Sequence, residues 1–120
     1  EYAAGPISGG NLNPAVSVTL ALVGSLEWSR ARLYIVVQIL GGLSAGFCCA
    51  GLFAPMSVQI QPGPGFSRGY AQIAETIYTC LLCFVVCNCA ASKRNNPRDD
   101  QNQFYALAIG FAVVAGGYAV

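Results

Sequence analysis

The chain has 120 residues, of which 55% are hydrophobic and 9% charged, and its formal net charge is +1. A soluble domain carries about a quarter charged residues, so this composition, with a mean hydropathy of +0.55, belongs in a bilayer. The small net charge gives no reason to expect a nucleic-acid partner, and the absence of His removes the commonest general base and metal ligand.

The chain begins at Glu1 with no initiator Met, no charged leader and no signal or transit peptide. Its first residues read as a loop and its last as an apolar run, so we expect an internal piece of a longer protein. The first motif is Ser8-Gly9-Gly10-Asn11-Leu12-Asn13-Pro14-Ala15-Val16. Glycines let the backbone bend sharply and turn its carbonyls outward. Asn followed by Pro starts a helix: Asn caps the first free N–H groups, and Pro fits the first turn, where its missing N–H costs nothing. The helix expected from about 14 to 25 is apolar and too short to cross a membrane. A re-entrant half-helix of this kind holds a fixed dipole at mid-membrane.

Three longer apolar segments follow, at about 31–54, 70–92 and 104–120, the last cut off at Val120. Each of the first two is long enough to span the hydrocarbon core. The connector Leu26 to Arg30 carries Trp28, which suits a membrane interface. The stretch from Pro55 to Gly69 holds Pro55, Pro62, Gly63, Pro64 and Gly65 and reads as an irregular loop. The stretch from Lys93 to Gln103 is polar, and its Asp99 and Asp100 read as solvated. Small residues at Gly41, Gly42, Ala45, Gly46 and Ala50, and again at Gly110, Gly116 and Gly117, have the spacing of close helix contacts.

Charge sets the orientation. Arg30 and Arg32 precede the second segment, and Lys93, Arg94 and Arg98 follow the third. Two crossings separate them, so all five share one side, and only Arg68 lies on the other. The positive-inside rule makes the side of the five cytoplasmic. The half-helix therefore enters from the cytoplasm.

Six cysteines, Cys48, Cys49, Cys80, Cys83, Cys87 and Cys89, all fall in apolar runs. Cys80, Cys83 and Cys87 share one helical face, where successive turns place them poorly for a disulfide. They read as small polarizable packing residues, and the sharper alternative is a thiolate metal site or a thiol open to mercurials. Glu75 is the one carboxylate well within a span. An intramembrane acid is by default a functional candidate, and the alternative is an interfacial, wetted position. Gln38 reads as a helix–helix hydrogen-bonding group. No catalytic constellation, cofactor site or phosphate-binding loop is present: Gly41-Gly42 and Gly116-Gly117 lie in apolar helices, without the strand–turn–helix context.

The run from Ser8 to Val16 resembles the first signature loop of the aquaporin, or major intrinsic protein, family. It matches at Ser8, Gly9, Gly10, Leu12, Asn13, Pro14, Ala15 and Val16. The resemblance covers nearly the whole chain, from the first signature loop to the fifth span. It implies an all-α membrane protein: a right-handed bundle of transmembrane helices with a re-entrant Asn-Pro-Ala half-helix, here about half of a six-span fold in a single partial channel domain, 1–120. It implies a passive channel for water and small neutral solutes such as glycerol or urea, closed to ions and protons, embedded in lipid as a homotetramer, with no enzymatic activity.

The resemblance also implies residue roles. Carbonyls of Gly9, Gly10 and Asn11 form a ladder of acceptors, and the Asn13 amide, with Pro14 and Ala15 behind it, donates to the passing oxygen. Glu75 braces the pore by accepting from the opposite signature loop, and Gln38 matches a polar residue that the family buries. Two departures bear on selectivity. Many relatives carry His where this chain has Asn11, so any His-based gating is lost there. Alignment of Leu107 to Val113 with the fifth span puts Gly117 at the outer filter, where water-strict members place His and glycerol-conducting members often Gly. Two rival readings remain: a transporter with broken helices, which calls for more intramembrane charge than one Glu, and a non-conducting membrane protein that keeps the fold.

Overall fold

The computed structural model describes residues 2–54, 61–95 and 104–119. Pro55, Arg98, Asp99, Asp100 and Val120 lie outside the described residues, as does the reading of the stretches around them. The elements are α1 (Gly5–Ser8), α2 (Pro14–Leu22), α3 (Trp28–Phe53), α4 (Arg68–Val86), a π turn (Cys87–Ala91) that continues α4, and α5 (Tyr105–Ala119). All are helical, as expected. α3 and α4 with its π turn, of 26 and 24 residues, are long and apolar enough to cross a membrane.

Short-range chemistry accounts for most boundaries. α2 starts at Pro14 because Asn13 is extended and its side chain accepts from the Ala15 N–H. It ends at Leu22, short of the expected 25. Gly24 takes a left-handed φ of 75°, and its N–H donates to the Ala21 carbonyl while the Ser25 N–H donates to that of Leu20. That is the Schellman stop, which closes the last carbonyls of a helix. α3 begins one turn before the expected 31, with extended Glu27 as N-cap, so Trp28 sits in its first turn. α4 begins at Arg68 behind Ser67, whose hydroxyl accepts from the Tyr70 N–H. One element was not expected: α1, a single turn opened by Pro6 and closed by Gly9 at φ 74°.

The π turn was also not foreseen. Its cause is local: the Asn88 amide donates to the Phe84 carbonyl at 2.8 Å. The side chain takes the carbonyl that its own backbone N–H would use in an α-helix, and the ladder shifts. The Asn88 carbonyl in turn accepts from the Asn95 side chain at 2.9 Å, which turns the chain out of the helix.

The half-helix α2 lies between α3 and α4, and α4 pairs with α5. Val16 of α2, Val86 of α4 and Ile109 of α5 form the buried core, with Leu20 and Leu82 against them. Among the described elements α3 packs mainly on α2, and its Tyr34 reaches Ser8 at the end of α1. It is roughly 39 Å long against about 14 Å for its partner, so most of its surface is bare. The expected contacts at Gly41, Gly42 and Gly46 are therefore not made: a Cβ at any of them meets nothing within 4 Å. Gly110 is equally open. Gly116 does serve packing, since a Cβ there would lie 3.2 Å from that of Tyr78 on α4.

Because nothing stands within 4 Å of a Cβ at Gly24, Gly24→Ala tests the left-handed turn alone. It should lower the stability of the helix end by roughly 1–2 kcal/mol, read as a reduced melting temperature in detergent.

Candidate functional site

The loop before α2 is built by two consecutive glycines. Gly9 and Gly10 have φ of 74° and 66°, left-handed values that cost a residue with a Cβ. They reverse the chain after α1 and deliver Asn11, Leu12 and Asn13 to the mouth of α2. At Asn13 the backbone is extended, and Oδ1 accepts from the Ala15 N–H at 2.8 Å. The Asn13 carbonyl accepts from the Ser17 N–H at 3.0 Å and from the Ser17 hydroxyl at 3.3 Å. With Oδ1 committed to the cap, the amide nitrogen is the remaining polar group of the Asn13 side chain.

Irregular backbone at membrane depth must have its polar groups paired within the protein or across a water-filled cavity. α3 supplies that pairing. The Tyr34 hydroxyl donates to the Ser8 carbonyl at 2.9 Å. One turn on, Gln38 Nε2 donates to the Asn11 carbonyl at 2.8 Å and to the Ser17 hydroxyl at 3.0 Å. Ser17 is fully buried. Gln38 thus ties the loop and the half-helix to the membrane-length helix with one amide group, as a brace. The same bond engages the Asn11 carbonyl toward α3, so the expected ladder rests on Gly9 and Gly10. Two buried oxygens, Asn11 Oδ1 and Gln38 Oε1, have no hydrogen-bond partner among the described residues.

Two cavities flank Asn13. One, about 350 Å³, is bounded by Gly9, Gly10, Asn11 and Asn13 on its polar side and by Val86 and Ile109 among its apolar residues. The other, about 280 Å³, holds Glu75, Tyr78 and Gly117 together with Asn13. Asn13, Leu82 and Val113 line both. Asn13 therefore shares the walls of both cavities with the aliphatic Leu82 and Val113. Every candidate residue from Gly9 to Asn13 borders one of these spaces, and Glu75 and Gly117, 42 positions apart by their numbers, border the same one. Glu75 is exposed and makes no hydrogen bond among the described residues. A Cβ at Gly117 would meet nothing within 4 Å. Pro14 and Ala15 lie behind the cap, on a different cavity that also borders Cys80 and Cys83. No group of three or more metal-ligating side chains occurs among the described residues, and the cysteines there are free thiols.

Tyr34, Ser17, Leu82 and Val113 were not among the residues singled out in the sequence. Tyr34 lies one turn before Gln38, and Ser17 one turn after Asn13, so helical spacing could have pointed to both. Leu82 and Val113 look like any other apolar residue of a span, and only packing distinguishes them.

The profile of the major intrinsic protein family matches residues 1–120. Aquaporin PIP1-1 of Arabidopsis thaliana is 38% identical over 122 aligned residues, which cover 93% of this chain and 41% of that protein. Aquaporin-5 of Botryotinia fuckeliana is 36% identical, covering 94% of this chain and 28% of the relative. Aquaporin NIP3-1 of Oryza sativa subsp. japonica is 34% identical, covering 91% and 34%. No solved structure matches the chain. The chain belongs to the major intrinsic protein family, a family of integral multi-pass membrane channels and not of enzymes. It spans between 28% and 41% of the length of these three relatives.

The α3 anchor can be tested by substitution. Tyr34→Phe removes one hydrogen bond and should cost about 1 kcal/mol, whereas Gln38→Leu removes two and leaves the Asn11 carbonyl without its partner, for about 2–3 kcal/mol. Thermal unfolding of the full-length protein in detergent should show the larger loss for Gln38→Leu.

Proposed function

We propose that the full-length protein is a passive channel for water and for small neutral solutes such as glycerol or urea, and that residues 1–120 supply one half of its pore as a single partial channel domain. The observation that carries this reading is the position of Asn13. It borders both cavities, its oxygen is held by the helix cap, and its amide nitrogen is left as a donor against an aliphatic wall. A solute oxygen reaching Asn13 meets a fixed donor beside Leu82 and Val113, with Glu75, Tyr78 and Thr79 farther along the second cavity.

Selection follows from electrostatics. The N-terminus of α2 carries the positive end of its dipole, which repels cations. A water whose oxygen is held by a fixed donor is turned away from the chain of neighbours that a proton relay requires. Carbonyls of Gly9 and Gly10 replace hydration on the cytoplasmic side. At the other cavity Gly117 adds no side chain, so the constriction there passes solutes larger than water, and Glu75 accepts from the opposite signature loop of the full-length protein, as the family resemblance implies. We extend the family resemblance to a homotetrameric assembly in the bilayer.

Proteoliposomes holding the full-length protein should swell or shrink under an osmotic gradient without any dependence on an ion gradient. A response that requires an ion gradient would indicate a transporter, and none at all a non-conducting membrane protein. Gly117→His has room for its side chain and narrows the passage. It should reduce glycerol permeability at least about tenfold, equivalent to a barrier higher by roughly 1.4 kcal/mol. Unchanged glycerol flux would remove Gly117 from the filter.

A further inference from the structure

Depth separates Cys87 and Cys89 from the other cysteines. The span that holds them runs from Arg68 to Ala91. Its end is fixed: Ser92 is extended, and the Asn95 side chain donates to the Asn88 carbonyl at 2.9 Å, which turns the chain out of the helix. Lys93 and Arg94 follow at once and are exposed. With a rise of about 1.5 Å per residue, Cys89 and Cys87 lie roughly 3 and 6 Å from Ala91, and Cys83 and Cys80 roughly 12 and 17 Å from it. Cys83 packs against the buried core. Cys48 and Cys49 lie near Phe53, at the end of α3 away from Arg30 and Arg32. The positive-inside rule places Lys93 and Arg94 in the cytoplasm. Cys87 and Cys89 therefore combine a place at the lipid boundary with a cytoplasmic exit, and the other four do not. Both are partly exposed, and neither forms a disulfide among the described residues.

We infer that Cys87 and Cys89 form an S-acylation site, which takes a long-chain fatty acyl group from a cytoplasmic acyl thioester. Cysteines beside the membrane surface are acceptors of such chains. The donor, a fatty acyl–coenzyme A, carries phosphates that keep its head in water. Transfer therefore occurs at the boundary and not at the depth of Cys80. The cationic pair Lys93 and Arg94 favours the thiolate, which is the nucleophile, and attracts the anionic donor. The cysteine Sγ attacks the acyl carbonyl carbon and forms the new thioester bond. The carbon–sulfur bond to coenzyme A breaks, and the leaving thiolate takes up the proton that the cysteine gave. No oxidant or reductant enters. The acyl chain of the product runs back into the cytoplasmic leaflet beside α4. This site depends on the membrane class and the orientation alone, and stands whether or not the protein conducts.

The test uses the full-length protein produced in a eukaryotic host. Free thiols are blocked, hydroxylamine then cleaves thioesters, and a polyethylene-glycol maleimide adds a mass tag to each thiol so released. Wild-type protein should show a hydroxylamine-dependent shift on a gel. The double variant Cys87→Ser/Cys89→Ser should lose at least one tag, and Cys80→Ser/Cys83→Ser should keep every tag. A Cys87/Cys89 variant with the wild-type pattern, or a Cys80/Cys83 variant that loses a tag, overturns the inference. Mass spectrometry of the wild-type peptide that holds Cys87 and Cys89 needs no variant to fold. A mass raised by a long-chain acyl group and restored by hydroxylamine supports the site. The unmodified peptide alone overturns it.

Discussion

The structure depends on one requirement: the bent backbone between α1 and α2 leaves carbonyls outside any helix, and buried peptide groups without a partner are costly. Two side chains of α3 meet it. Tyr34 holds the Ser8 carbonyl, and Gln38 holds the Asn11 carbonyl and the Ser17 hydroxyl. Without them the loop would have to rewind into helix or draw water into the apolar layer. With them, the left-handed pair Gly9-Gly10 can stay bent and Asn13 can stay extended. The position of Asn13 is therefore set by α3, a helix that contributes no lining residue to either of the two cavities around it.

The same arrangement divides the labour among the helices. α3 packs on α2 and anchors both it and the loop before it. α4 and α5 form the aliphatic wall through Leu82 and Val113, and the close approach of Gly116 to Tyr78 sets how near these two helices come. The loop thus supplies Gly9, Gly10, Asn11 and Asn13 to the first cavity, and α4 supplies Glu75, Tyr78 and Thr79 to the second. A neutral solute needs both: donors and acceptors to replace its hydration, and an opposite side that does not bind it tightly. Glu75 and Gly117 extend the space past Asn13 on the other side.

Much of this was legible in the residues because the signals are short-range. Asn13-Pro14 marks a helix start by capping and ring geometry alone, and the structure begins α2 there. Gly9-Gly10 marks a bend, and both glycines take left-handed angles. Boundaries moved where a side chain competed with the backbone or a glycine turned left-handed. Gly24 closed α2 early, and Asn88 converted the end of α4 into a π turn. The spacing of Gly41, Gly42 and Gly46 records a capacity for close packing, while which helix stands against them is not encoded in it; among the described residues a Cβ there meets nothing within 4 Å.

The sequence by itself determined the membrane class, the half-helix, the segments that cross, and the family, since these follow from hydropathy, capping chemistry and a contiguous motif. Only the tertiary structure decided which groups meet. It joined Gln38 to Asn11 and Ser17 across 27 and 21 positions, and it placed Glu75 beside Gly117. It also showed that the Asn11 carbonyl is engaged while its side-chain amide is not. The reason is physical. Periodicity and capping act within one or two turns of chain, whereas hydrogen bonding between helices depends on rotation and height of packed elements, which no local pattern encodes.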